Sequence, residues 1–232
     1  MKIRFRFLLN IFFVCVLFYS LFNVGTRLYD YKRSEDLYSS LRVVDDGVSD
    51  NPFDVDAFTE KNSDYRFWLK VDDTFIDYPV VQGEDNYFYL HHDFYKQQSK
   101  SGSIFLDYEA DESSKNLIVY GHNMKNRFMF SSVNKFKDKE FFDDNNKVRV
   151  FIDDKEFVYE VFSVYVLNAD DEFIPKSFSS DEQYSDYLQG LLNKSIYKTD
   201  ITVGSDDNII TLYTCSYEDD NTRTIVHAKL IS

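Results

Sequence analysis

The sequence predicts a mainly β protein, a closed barrel or a sandwich with few helices, held behind an N-terminal membrane-spanning helix. Three observations carry this. Seven short runs rich in β-branched and aromatic residues recur between Thr74 and Ile231. A single well-signalled amphipathic helix interrupts them late in the chain. An apolar segment of bilayer length stands at the start.

The apolar segment runs from Phe5 to Val24, broken only by Arg6, Asn10, Ser20 and Asn23. At 1.5 Å per residue, 20 helical residues cross about 30 Å, the hydrocarbon thickness of a bilayer. No small-x-small cleavage site follows it, since Tyr19-Ser20-Leu21-Phe22-Asn23 lacks that pattern, so an uncleaved anchor is expected. Lys2, Arg4 and Arg6 crowd the near side while the far side mixes its charges. The expected topology is a cytoplasmic N-terminus with the body outside. Residues 1–25 are therefore read as cytoplasmic tip and anchor. Residues 26–60 are read as a juxtamembrane helical and linker segment, with a break at Val44–Pro52. Residues 61–232 are read as the folded domain.

The β runs are Thr74–Gln82, Ser103–Asp107, Asn116–Tyr120, Lys147–Ile152, Phe157–Leu167, Ile209–Cys215 and Thr224–Ile231. Pro79 suggests an edge or a bulge in the first. Short helices are expected at Arg127–Phe136 and Lys139–Asp144. The well-signalled helix starts at the capping box Ser180-Asp181-Glu182-Gln183. Tyr184, Tyr187, Leu188, Leu191 and Leu192 then fall at i, i+3, i+4, i+7 and i+8, one apolar face. With 23 Phe and 18 Tyr against 7 Gly and 3 Pro, the chain can fill a large core.

Charge narrows the function. The net charge is −14, and residues 1–36 are themselves basic, so the body is strongly acidic. Nucleic-acid binding needs clustered Lys and Arg, and is excluded on that ground. No phosphate loop, dinucleotide fingerprint or Gly-x-Ser-x-Gly elbow occurs. His91 and His92 are adjacent and point apart in any regular element, so no metal site is expected. His227, inside the last β run, reads as structural. Acidic pairs such as Asp143-Asp144 and Asp219-Asp220 read as turns and solvated faces. No cofactor is called for.

Three residues remain as candidates for chemistry. Cys15 lies in the apolar run, which leaves Cys215 as the one cysteine of the body. A free cysteine is commonly a small buried hydrophobe. Cys215, however, ends a β run that opens into the polar stretch Ser216–Asn221, where a reactive group is held rigidly yet exposed. His122 has the same setting, since the run Asn116–Tyr120 ends in Gly121-His122-Asn123. Arg223 follows Cys215 by eight residues, and a hairpin would set it beside the thiol. It could hold an oxyanion, or simply pair with Glu218, Asp219 or Asp220. At pH 7 an unperturbed cysteine is only about 3% thiolate, and a neighbouring cation raises that share.

Those same residues carry a resemblance. Thr211-Leu212-Tyr213-Thr214-Cys215 resembles the sortase signature Thr-Leu-x-Thr-Cys. Gly121-His122 and Arg223 resemble that family's histidine and arginine motifs, in the same order. Asn62–Leu69, Tyr78–Gln82 and the helix near Asp181–Lys194 are most similar to class B members. The resemblance implies an eight-stranded β-barrel with N-terminal helices in a Gram-positive bacterium. It implies a transpeptidase that cleaves a sorting signal after Thr, forms a thioester on Cys215 and hands the protein to a peptidoglycan amine. The implied partners are surface proteins with Asn-Pro-x-Thr-Asn or Pro-x-Thr-Gly type signals, a peptidoglycan precursor and membrane lipid. Asn86, Leu90, Tyr120 and Tyr213 would line the peptide groove, and Tyr213 and Ser216 would individualise it. A cell-wall cysteine protease or amidase and a non-catalytic surface barrel stay open as alternatives.

Overall fold

The computed structural model describes residues 2–42, 55–111, 113–124, 128–153, 155–168, 170, 174–175, 177–215 and 221–232. The chain divides into two compact units, Met1–Leu41 and Arg42–Ser232. The first is a single helix, α1 (Lys2–Arg42), continuous through the anchor and the juxtamembrane residues. Gly25 does not break it, and a side chain there would meet nothing within 4 Å. Among the described residues, this helix is the one long and apolar enough to cross a membrane.

The second unit opens with the short helix α2 (Val55–Lys61) and is dominated by eight strands. These are β1 (Tyr65–Val71), β2 (Asp77–Val81), β3 (Ile104–Leu106), β4 (Asn116–Tyr120), β5 (Lys147–Ile152), β6 (Lys155–Asn168), β7 (Ile209–Cys215) and β8 (Thr222–Leu230). They close into a barrel in the order β1-β2-β3-β4-β7-β8-β6-β5. Although the barrel is closed, Pro79 sits at a stretch of β2 locally unpaired on the β3 side, as its edge reading expects. Pro79 pairs with Trp68 of β1, and the pairing of β2 with β3 begins only at Val80. The missing amide N–H is therefore not needed on the β3 side. A register shift does occur on the facing strand, between Tyr65 and Phe67.

Strand β1 lies outside the β runs expected from the sequence, although Tyr65, Phe67, Leu69 and Val71 alternate with exposed Arg66 and Lys70, and only the buried Trp68 interrupts that alternation. Helix α3 (Lys139–Asp144) forms where expected, while the helix before it is a 3-10 segment, Phe130–Lys137. Arg127, the expected start of that helix, lies outside the described residues.

Helix α4 (Asp181–Lys194) has the bounds its sequence signals imply. The Ser180 hydroxyl accepts from Gln183 N at 3.2 Å, worth about 1 kcal/mol. The return half of the box is displaced by one residue, because Gln183 Oε1 accepts from Ser179 N at 2.7 Å. Tyr184, Leu188 and Leu191 bury against Phe162, Tyr165, Ile209 and Ile225 of the sheet, each contributing about 1.5–3 kcal/mol.

Four residues tie neighbouring strands together under that helix. The Thr211 hydroxyl of β7 donates to Asn116 Oδ1 of β4 at 2.7 Å. With that proton spent, Thr211 accepts from His227 Nδ1 of β8 at 2.8 Å. His227 Nε2 must then accept from the Tyr165 hydroxyl of β6 at 3.0 Å. Burial of the His227 ring, with the charge of Lys194 nearby, holds its pKa down to about 3. His227 is thus a neutral core residue, in line with its structural reading.

Candidate active site

Strand β7 sits between β4 and β8, and its two neighbours run in opposite senses. It is parallel to β4, with Tyr120 opposite Tyr213. Gly121 N donates to Tyr213 O at 3.2 Å, and the Thr214 hydroxyl donates to Gly121 O at 2.7 Å. The chain leaving β4 is thereby held against the last residues of β7, and His122 comes next. On the other side β7 is antiparallel to β8, where Cys215 and Arg223 are direct register partners. The three positions singled out in the sequence thus meet at one end of three adjacent strands.

Gly121 is required there by packing. A Cβ on it would lie 2.5 Å from Ile104 Cδ1 and 2.8 Å from the Phe130 ring. Beyond it, His122 is half-buried, and its Nε2 lies 2.8 Å from Leu90 O. A carbonyl only accepts, so Nε2 carries the proton and the neutral ring keeps its lone pair on Nδ1. Leu90 ends a 3-10 turn, Phe88–Leu90. That turn packs on Gly102, whose φ is +57° and where a Cβ would be 2.6 Å from Tyr89 O and 2.7 Å from Leu90 O. Arg223 is half-buried. It donates from one end of its guanidinium to Thr222 O at 3.0 Å and from another to Asn221 Oδ1 at 3.3 Å. The partners expected for it, Glu218, Asp219 and Asp220, lie outside the described residues, as does Ser216.

The groove candidates converge on the same end. The Tyr120 and Tyr213 rings meet edge-on at 5.3 Å, and Tyr120 stacks on Phe105 at 5.3 Å. The Tyr120 hydroxyl donates to Asp107 Oδ2 at 3.0 Å, and Asn86 Nδ2 donates to the same oxygen at 2.8 Å. Burial, with the Asp107 carboxylate close by, pushes the Tyr120 phenol above its usual range. Leu90 enters through its backbone carbonyl. Asp107 itself has no signal in the sequence beyond its place at a strand end. Its burial, 2% exposed, arises from pairing with residues far along the chain. His91 and His92 are spent on local contacts, packing on Tyr87 and Phe88 respectively.

The family model for the sortase domain matches residues 69–231. The chain belongs to the sortase family. Sortase B of Listeria monocytogenes is 32% identical over 228 residues, covering 94% of this chain and 93% of the relative. Among solved structures, sortase B of Clostridium perfringens is 46% identical, with a TM-score of 0.75 over 76% of this chain and 99% of the other. Sortase B of Bacillus anthracis is 34% identical with a TM-score of 0.80, covering 88% of this chain and 99% of the other. A substrate complex of Staphylococcus aureus sortase B is 27% identical with a TM-score of 0.77 over 89% of this chain and 98% of the other. The chain is accordingly a cysteine transpeptidase of the class B sortase type, and sortases act on sorting-signal substrates.

Proposed function

We propose that Cys215 is the nucleophile, His122 the general acid and base, and Arg223 the oxyanion stabiliser. The Cys215 thiolate attacks the carbonyl carbon of Thr in a sorting signal of the Asn-Pro-x-Thr-Asn or Pro-x-Thr-Gly type. The resulting oxyanion is held by Arg223. The intermediate collapses to a thioester as protonated His122 gives its Nδ1 proton to the departing amine. His122 then takes a proton from the incoming amine of a peptidoglycan precursor, and the new amide bond releases Cys215.

The observation that carries this reading is the strand register. Parallel pairing of Tyr120 with Tyr213 and antiparallel pairing of Cys215 with Arg223 bring a histidine, a cysteine and an arginine to one edge. Directly opposed residues of an antiparallel pair share a sheet face, which suits an arginine beside a thioester oxygen. Asn86, Leu90, Tyr120 and Tyr213 form the peptide groove in this reading. The chain sits in the cell membrane through residues 1–25, with its N-terminus in the cytoplasm. Residues 26–60 form the connecting stalk, and 61–232 the extracellular enzyme.

The test uses the full chain in detergent micelles with quenched fluorescent peptides of both signal types, with and without triglycine, read by mass spectrometry. Cleavage after Thr, a triglycine adduct, and loss of both in Cys215→Ala are expected. Release of acid alone despite saturating triglycine would favour a protease. Full activity in Cys215→Ala would overturn the assignment.

A further inference from the structure

Beneath the groove lies a carboxylate that the mechanism does not use. Asp107 is buried, and both its oxygens are taken. Oδ2 accepts from Asn86 Nδ2 at 2.8 Å and from the Tyr120 hydroxyl at 3.0 Å, while Oδ1 accepts from Glu109 N at 3.0 Å. Its backbone is fixed as well, since N donates to Ile118 O at 2.8 Å and O accepts from Gln82 Nε2 at 2.9 Å. A carboxylate is acceptor-only, which suits three converging donors. Substrate has no access to it.

Its consequence falls on the two half-buried residues above it. Asn86 Oδ1 accepts from Tyr108 N at 3.0 Å. Together with the bond from Nδ2 to Asp107, this fixes which way the amide faces and leaves one Asn86 N–H to donate outward. The Tyr120 proton is committed to Asp107, so its oxygen can only accept from above. One donor and one acceptor side by side are the complement of a neutral amide, which itself offers one acceptor and one donor. A substrate carboxylate would meet the Tyr120 lone pair, and an ammonium would meet the Asn86 N–H.

We propose that Asp107 is a positioning residue that sets substrate specificity, by orienting Asn86 and Tyr120 to read a neutral amide of the sorting-signal peptide. The proposal rests on the groove assignment made above. Asp107→Asn would turn a donor toward the Asn86 amide and the Tyr120 hydroxyl, forcing one of them to reverse. Asn86→Asp in that background restores the internal bond with the polarity exchanged, because the new carboxylate accepts from the new amide and still accepts from Tyr108 N. Toward the substrate, Asn86→Asp then presents a carboxylate where an N–H stood, while the Tyr120 hydroxyl, now accepting from the new amide, has its proton free to donate.

The test measures kcat and KM with the full chain in micelles on three peptides. These are Asn-Pro-x-Thr-Asn and its variants with Asp or Lys at the first position. Alkylation of Cys215 by iodoacetamide is followed in parallel. In Asp107→Asn, KM for the Asn peptide is expected to rise about tenfold, the equivalent of one misdirected hydrogen bond. Neither kcat nor the alkylation rate should change by more than about twofold. The double variant is expected to refold the site and to prefer the Lys peptide over the Asn peptide. Should Asp107→Asn fail to fold, Tyr120→Phe, which keeps the ring stack and removes only the hydroxyl, must show the same rise in KM. A lowered melting temperature with KM and peptide preference unchanged would make Asp107 merely structural and overturn the proposal. Failure of the mechanistic reading is separate, since it appears as activity in Cys215→Ala whatever Asp107 does.

Discussion

Removing one hydroxyl from the core should cost far more than one hydrogen bond. Thr211→Val keeps the shape of the side chain and deletes Oγ1. That atom serves two partners, donating to Asn116 Oδ1 at 2.7 Å and accepting from His227 Nδ1 at 2.8 Å. Asn116 is 3% exposed and His227 is 0% exposed, so water cannot replace either bond. Asn116 Nδ2 already lacks a partner among the described residues, so the whole amide would be left unsatisfied. Each buried group orphaned costs about 1–3 kcal/mol, giving about 2–6 kcal/mol for the pair. Against a total stability of about 5–15 kcal/mol this is severe. For a domain of this size it lowers the melting temperature by roughly 10 °C. The assay is thermal and urea melting of the barrel's near-ultraviolet circular dichroism. A double-mutant cycle with His227→Phe adds the decisive term. Once Thr211 is gone His227 Nδ1 is already orphaned, so the second change should cost at least about 1 kcal/mol less than it does alone. Additive costs, or a loss below about 0.5 kcal/mol in Thr211→Val, would refute the linked network.

Two other residues carry predictions of their own. His227 is held to about 3 by burial and by Lys194, whereas an unfolded histidine titrates near 6.5. Between those values the unfolded chain binds the proton and the fold does not. Stability is therefore full above pH 6.5 and falls toward pH 3, by up to about 1.4 kcal/mol per pH unit. His227→Phe should lose this slope in urea midpoints taken from pH 7 to pH 4, and parallel curves for the two proteins would count against it. Arg223→Lys cannot hold both Thr222 O and Asn221 Oδ1, which the guanidinium reaches from separate nitrogens. The lysine variant should lose about 10²–10³ in kcat with little change in KM in steady-state peptide cleavage, and a loss under threefold would exclude an oxyanion role.

Legibility in the sequence depended on whether the signal was local. Strands β4, β5 and β7 have the bounds expected from their β-branched runs, because turn residues stop those runs cleanly. Helix α4 was legible from a cap and a stripe of five apolar residues. Strand β1 was passed over, although only Trp68 breaks its alternation of buried apolar residues with Arg66 and Lys70. The separate juxtamembrane helix merges into α1, since nothing between Val24 and Leu28 forbids helix. Of the proposed catalytic residues, Cys215 and His122 stood out in the sequence because one ends a β run and the other follows one by two residues. Asp107 did not, because its partners Asn86 and Tyr120 lie 21 and 13 residues away and meet it only through the fold.

The placement of β7 explains how so few residues can make a site. In a parallel neighbour strand ends coincide, so β4 delivers the residues just past its own end. In an antiparallel neighbour the start of one strand meets the end of the other, so β8 delivers its first residues. A strand flanked by one of each collects an exit and an entry at a single edge. The antiparallel partner needs only a short turn, which is why Arg223 comes so soon after Cys215 in sequence. The parallel partner needs a long crossover, and here β5, β6 and α4 all lie between His122 and β7. Of these, β5 and β6 complete the barrel, and α4 serves as cover, packed on the face of β7 that carries Ile209 and Tyr213. Register is the quantity such a site must protect, because a slip of one residue in β7 would carry Cys215 away from both neighbours at once. The bond from Thr211 to Asn116 fixes β7 on β4, and the bond to His227 fixes it on β8. The geometry of a core hydrogen-bond pair and the alignment of the three proposed catalytic residues are thus one constraint, seen at two depths of the same three strands.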